Sequence, residues 1–163
     1  MDSFYQFMTL LMIIIAAYFT YMIINVYVTI YKTKKRDHSL KFALTNAGKV
    51  FYIVGSILHI VILISCTILA ILFAMKGKAV YYLNAVTAIA LYSLIYSFQV
   101  ANITLVGQKS MLVGRMLVDY RKMKKVDLNY HHELSFVYSQ KSFKFSTRFV
   151  DIPVLRRAIS RRS

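Results

Sequence analysis

The chain has a single cysteine, a single proline and only six carboxylates in 163 residues. Cys66 alone excludes an intramolecular disulfide, and a small apolar packing role is its ordinary use. The carboxylates are Asp2, Asp37, Asp119, Asp127, Glu133 and Asp151, and no two are spaced as a pair for general acid–base work. No G-x-S-x-G, Walker or H-E-x-x-H pattern occurs. His131 and His132 are adjacent, so on a strand they would face opposite ways and hold a metal poorly; in a turn before Glu133 they would form a solvated corner. No cofactor, no metal site and no catalytic activity are therefore expected.

Charge is also missing over three long stretches, 3–31, 50–75 and 79–108. Each exceeds the roughly 20 apolar residues that a helix needs to cross about 30 Å of hydrocarbon. The reading is a mainly α membrane protein with spans at about 4–31, 50–75 and 79–106, a basic loop at 32–49, and a separate unit at 109–163. Cleavage of the first stretch as a signal peptide is not expected: no basic segment precedes it, and it is too long. No lipidation motif is seen at either end.

The 21 basic residues are unevenly placed. Six lie between the first two spans (Lys32, Lys34, Lys35, Arg36, Lys41 and Lys49) and two, Lys76 and Lys78, between the second and third. The remaining thirteen follow Gln108. The positive-inside rule makes the N-terminus external, and the 32–49 loop and the C-terminal unit cytoplasmic. Phe4, Tyr5, Phe7, Phe73, Tyr81 and Tyr82 form an outer aromatic belt; Tyr31, Phe51 and Tyr52 form an inner one. Nucleic acid is not an expected partner, because basic residues beside spans are topology signals and attract anionic lipid.

The spans are two-sided. In the second, Tyr52, Gly55, Ser56, His59, Leu63, Cys66, Thr67, Ala70 and Ala74 share a face suited to close helix contact, and Ile53, Ile57, Ile60, Ile64 and Ile68 share a lipid face. In the third, Asn84, Ala88, Tyr92, Tyr96, Gln99 and Asn102 recur on one side. Carboxamides in hydrocarbon need partners. The helices can supply these to one another, which is the expectation for most of the stripe; Gln99 and Asn102 are the residues to test for an external partner. His59, alone in its span, is expected as a neutral ring bonded to a Ser, Thr or Asn of a neighbouring helix. In the loop, Asp37 or Ser39 would cap an interfacial helix presenting Leu40, Phe42, Ala43 and Leu44, ended by Gly48; direct continuation into the second span is the alternative.

The last 55 residues have another rhythm. Residues 133–139 alternate, 140–141 read as a turn, and 142–147 alternate again, which is a β-hairpin signal. Residues 111–120 are strand-like and broken by Gly114, a bend or bulge, and 124–128 would add another strand. Asp151 opens a helix, 151–162, with Pro153 in its first turn. About four short strands and a basic helix would bury Phe136, Tyr138, Phe143, Phe145, Leu155 and Ile159. A unit so small has little core of its own and is expected to lean on other parts of the chain or on a partner.

On these residues (114–120, 124–128, 133–139, 142–147 and 151–162) the C-terminal third resembles the small membrane-anchored bacterial PH-like domain proteins. The resemblance implies a partial β-barrel with a C-terminal helix, a binding role, no reaction, and a place in a bacterial cell membrane. The function expected is a non-catalytic accessory or regulatory subunit of a membrane complex, or a self-associating one. It would dock through Gly55, His59, Asn84, Tyr92, Tyr96, Gln99 and Asn102. Two other readings stand beside it: an immunity protein against a membrane-active peptide, and a sensor of anionic lipid headgroups through Lys32, Lys34, Lys35, Arg36, Arg156, Arg157, Arg161 and Arg162.

Overall fold

A computed structural model describes residues 2–129 and 132–160. It is mostly helical, with three long apolar helices, two small antiparallel sheets and a C-terminal helix. The long helices are α1 (Asp2–Arg36), α2 (Asn46–Met75) and α3 (Ala79–Val100). At 35, 30 and 22 residues and 1.5 Å per residue, each reaches or exceeds about 30 Å. All three are long and apolar enough to cross a membrane.

The chain forms two compact units, and neither is one continuous segment. The helical unit holds Met1–Ile24 and Tyr52–Gln99; the strand unit holds Asn25–Phe51 and Val100–Ser163. The strand unit thus begins well before 109 and takes in the whole 32–49 loop. The third apolar run extended to Gln108 because it joins two different elements: α3 stops at Val100, and β2 (Thr104–Val106) follows with all three residues buried. A strand buried on both faces carries no charge, and nothing in composition separates it from a span.

The 32–49 loop contains a strand where an interfacial helix was expected. β1 (Lys41–Phe42) pairs with β2 in the register Lys41 to Val106 and Phe42 to Leu105. Leu40, Ala43 and Leu44 are buried in this unit. Asp37 caps no helix; its carboxylate accepts from the Ser39 N–H and hydroxyl. Gly48 ends nothing either. It lies in the first turn of α2, where its N–H donates to Thr45 Oγ1 at 3.0 Å in an N-cap arrangement. A Cβ on Gly48 would lie 2.6 Å from the Phe149 carbonyl oxygen, which is why glycine is required.

β1 and β2 are neighbours in a sheet, yet α2 and α3 lie between them in the chain. The α2–α3 hairpin is therefore an insertion into the strand unit. The first sheet continues through β3 (Ser110–Val113) and β4 (Met116–Asp119) in the order β1-β2-β3-β4. Gly114, at φ +56°, makes the two-residue turn that divides 111–120 into two strands rather than bending one. After a 3-10 turn (Tyr120–Lys122), the second sheet runs β5 (Lys124–Asn129), β6 (Glu133–Tyr138) and β7 (Lys141–Ser146). The sheets hold seven strands among the described residues, against about four read from the sequence.

The two sheets share one core. Leu134 and Phe136 of β6 pack with Met111, Val113 and Val118 of the first sheet, with Met123, and with Leu155 and Ala158 of α4 (Ile152–Ser160). Tyr138, Phe143, Phe145 and Ile159 pack against this core, partly buried. Asp151 caps α4 by accepting the Val154 N–H at 3.2 Å. Ala43 links the chain ends: its N–H donates to the Thr104 carbonyl, and its carbonyl accepts from the Asp151 N–H, both at 3.0 Å. Leu44 bridges Val150, and Phe51 stacks on Phe149 with centroids 4.5 Å apart.

The β6–β7 turn is Ser139–Gln140, one residue earlier than expected, and both residues have positive φ (48° and 64°). Type I′ turns favour Asn-Gly because other side chains strain there. The double change Ser139→Asn, Gln140→Gly is expected to stabilise the strand unit by about 0.5–1 kcal/mol. A higher thermal midpoint in detergent checks it.

Candidate functional site

Within the helical unit, α2 and α3 are joined by a ladder of tyrosines. Gly55 leaves the space that the Tyr96 ring fills; a methyl group at 55 would collide with that ring. Tyr96, 3% exposed, donates its hydroxyl to the Tyr52 carbonyl at 2.8 Å and lies 2.9 Å from Ser56 Oγ. One turn on, the Tyr92 hydroxyl donates to the Gly55 carbonyl at 2.9 Å. Tyr52 returns a bond to the Gln99 carbonyl at 3.2 Å. Small residues at a helix contact allow this backbone approach, and hydroxyl-to-carbonyl bonds keep polar atoms satisfied where water is excluded.

His59 sits beside this ladder, 7% exposed, with its ring 5.7 Å from Tyr92 and 6.2 Å from Tyr96 in stacked geometry. The expected hydrogen bond is not made: neither ring nitrogen has a partner among the described residues. The hydroxyls of Tyr92 and Tyr96 donate to α2 carbonyls, and the His59 ring meets their rings by stacking.

Gly55, His59, Tyr92 and Tyr96 are thus brought together, in contacts within the chain itself. Asn84 and Gln99 are exposed, near opposite ends of α3. Asn102 lies beyond the end of α3 and outside the helical unit, where its carboxamide oxygen accepts the Ser146 N–H at 3.1 Å. It was read as part of the span because no charge separates it from α3.

The second span's Ile face is exposed throughout: Ile53, Ile57, Ile60, Ile64 and Ile68 are each more than half accessible. α1 contacts α3 through Thr20 and Ser93, whose hydroxyls are 3.2 Å apart, and through Ala16, Ile89 and Ala90. Between α1 and α2 an open apolar groove of about 490 Å³ remains, floored by Val86 and Ile89 of α3. Its walls carry small residues, Ala16, Ala17 and Thr20 on one side and Thr67 and Ala70 on the other. Thr67 bonds its own helix at the Leu63 carbonyl, so that wall offers little polarity. Periodicity had marked Thr67 and Ala70 but not their opposition to α1.

Of the basic residues read as lipid contacts, those described are exposed and fall on two elements. Lys32, Lys34, Lys35 and Arg36 end α1, where cations suit the helix dipole, and the Lys34 ammonium lies 5.2 Å from the Phe42 ring centroid. Arg156 and Arg157 lie on α4. Arg161, Arg162 and His131 lie outside the described residues. The apolar face of α4 is spent on the core through Leu155 and Ala158. His132 occupies the turn before Glu133 at φ 58° and is exposed. Among the described residues no three His, Cys, Asp or Glu side chains cluster as metal ligands.

Comparison of the chain with protein-family models, with curated proteins and with solved structures gave no match.

Proposed function

We propose that this protein is a non-catalytic accessory subunit of a membrane complex, whose helical unit docks against an apolar helix of another subunit. The observation that carries the reading is the open apolar groove of about 490 Å³ between α1 and α2, where Ala16, Ala17, Thr20, Thr67 and Ala70 stand among larger apolar side chains. Lipid packs equally well on the branched Ile face, but small residues let a second backbone approach closely. The polar stripe of α3 is a weaker candidate, because Tyr92 and Tyr96 are engaged within the chain.

In this reading the strand unit is the cytoplasmic part that binds or positions the partner, with the N-terminus outside, as the charge distribution favours. The PH-like reading rests here on six strands of the C-terminal region, a seventh from the loop, a shared core and a closing helix. A bacterial cell membrane is the setting this resemblance implies.

Purification in mild detergent tests the proposal. A companion is expected in fixed stoichiometry, and Ala17→Leu, on an exposed wall of the groove, is expected to reduce its recovery at least tenfold while the chain itself stays folded. A wild-type chain that purifies alone as a monodisperse monomer contradicts the proposal.

A further inference from the structure

A cleft of about 370 Å³ opens in the strand unit where three separate parts of the chain meet. β1 contributes Lys41, the β2–β3 turn contributes Gly107 and Gln108, and α4 contributes Val154 and Arg157, with Ser39 on the rim. Lys41 and Arg157 are exposed, and neither makes an ion pair among the described residues. Among the described residues no carboxylate lines the cleft, and Asp37, just before it, is engaged by the N–H and hydroxyl of Ser39. The floor is fixed. Gln108 N–H donates to Ser39 Oγ at 3.1 Å, Gly107 N–H donates to the Ser110 carbonyl at 2.8 Å, and a Cβ on Gly107 would lie 2.9 Å from Ser39 Oγ. These bonds hold the turn close to the segment that leads into β1, beside a cleft lined by both cations.

We propose that this cleft binds a phosphate monoester, with the phosphate held between the Lys41 ammonium and the Arg157 guanidinium. A guanidinium presents paired N–H donors that match phosphate oxygens, and an ammonium from β1 adds a point charge. Arg156, next along α4, adds positive potential. The volume exceeds that of a bare phosphate, and Val154 with Ala158 gives the organic part an apolar wall. The ester is either a free metabolite or the headgroup of a phosphatidic acid-type lipid. The cleft lies wholly in the strand unit and does not depend on the docking groove.

Full-length protein reconstituted in phosphatidylglycerol nanodiscs and titrated with glycerol 3-phosphate at fixed ionic strength tests it. Saturable binding of one equivalent is expected, weakened at least tenfold in Lys41→Gln and in Arg157→Gln. Lys144→Gln and Arg148→Gln, exposed cations away from the cleft, are expected to bind as the wild type does. Nanodiscs containing phosphatidic acid separate the sources. If glycerol 3-phosphate no longer binds there, the lipid headgroup is the occupant; if it binds undiminished, the soluble ester is. Absence of saturable binding in phosphatidylglycerol, unchanged binding in both cleft variants, or equal loss in the control variants overturns the proposal.

Discussion

Ala43→Asp is expected to unfold the strand unit, while Phe42→Asp, one residue away, leaves it folded. Ala43 is 1% exposed, lies in the core shared by the two sheets, and uses both backbone groups to tie β2 to the segment before α4. No Lys or Arg is buried among the described residues. A buried carboxylate without a partner costs at least about 3–5 kcal/mol, a large share of the 5–15 kcal/mol that holds a typical domain together. Phe42 is 44% exposed, and its replacement loses only partial packing and the contact with Lys34. Limited trypsin digestion in detergent reads the difference. The lysines of β5 and β7, Lys124, Lys125, Lys141 and Lys144, become cleavable in Ala43→Asp and stay protected in Phe42→Asp. Equal protection in both would mean that the loop is not part of the strand unit.

Gly55→Leu is expected to be the most damaging single change in the helical unit. The space beside Gly55 is filled by the Tyr96 ring, so a leucine drives α2 from α3. Overpacking of this kind costs about 1–3 kcal/mol. Separation also breaks the bonds from Tyr96 to the Tyr52 carbonyl and from Tyr92 to the Gly55 carbonyl. Hydrogen bonds between membrane helices are worth about 0.6 kcal/mol each on average, so the steric term dominates. Tyr96→Phe, which removes only the hydroxyl, should therefore cost about 1 kcal/mol or less. Thermal aggregation in detergent ranks the three proteins: wild type highest, Tyr96→Phe slightly lower, Gly55→Leu far lower. A Gly55→Leu protein as stable as the wild type would contradict the tyrosine ladder.

The parts of the fold legible in the sequence were those with a strong local pattern. Uncharged runs marked α1, α2 and α3. The alternation of Leu134 and Phe136 marked β6, and Asp151 with Pro153 marked α4. The hidden parts depend on contacts between distant segments. Residues 40–44 are too few to tell a strand from a helical turn, and only their pairing with 104–106 makes them β1. Thr104, Leu105 and Val106 are buried on both faces, so they read as more span. The same loss of contrast carried Asn102 into the membrane on paper. For the site, helical spacing grouped Gly55 with His59 and Tyr92 with Tyr96, because each pair lies on one face of one helix. It did not show that the two faces meet. Nor did it show that Lys41 and Arg157 share a cleft, since no local pattern relates a loop lysine to an arginine of the last helix.

The central claim is that the 32–49 loop supplies a strand to the C-terminal sheets, with the α2–α3 hairpin inserted between β1 and β2. Cysteines at Lys41 and Val106, introduced in a Cys66→Ala background, test it most directly. These positions face each other in the antiparallel register, where Cα atoms are about 4.5–5.5 Å apart and a disulfide fits. Mild oxidation should link them within one chain, seen as a joined tryptic peptide by mass spectrometry. A second pair at Ser135 and Lys144, opposite each other in β6 and β7, serves as the reference. Linkage of both pairs is the result expected; linkage of the reference pair alone would contradict the claim.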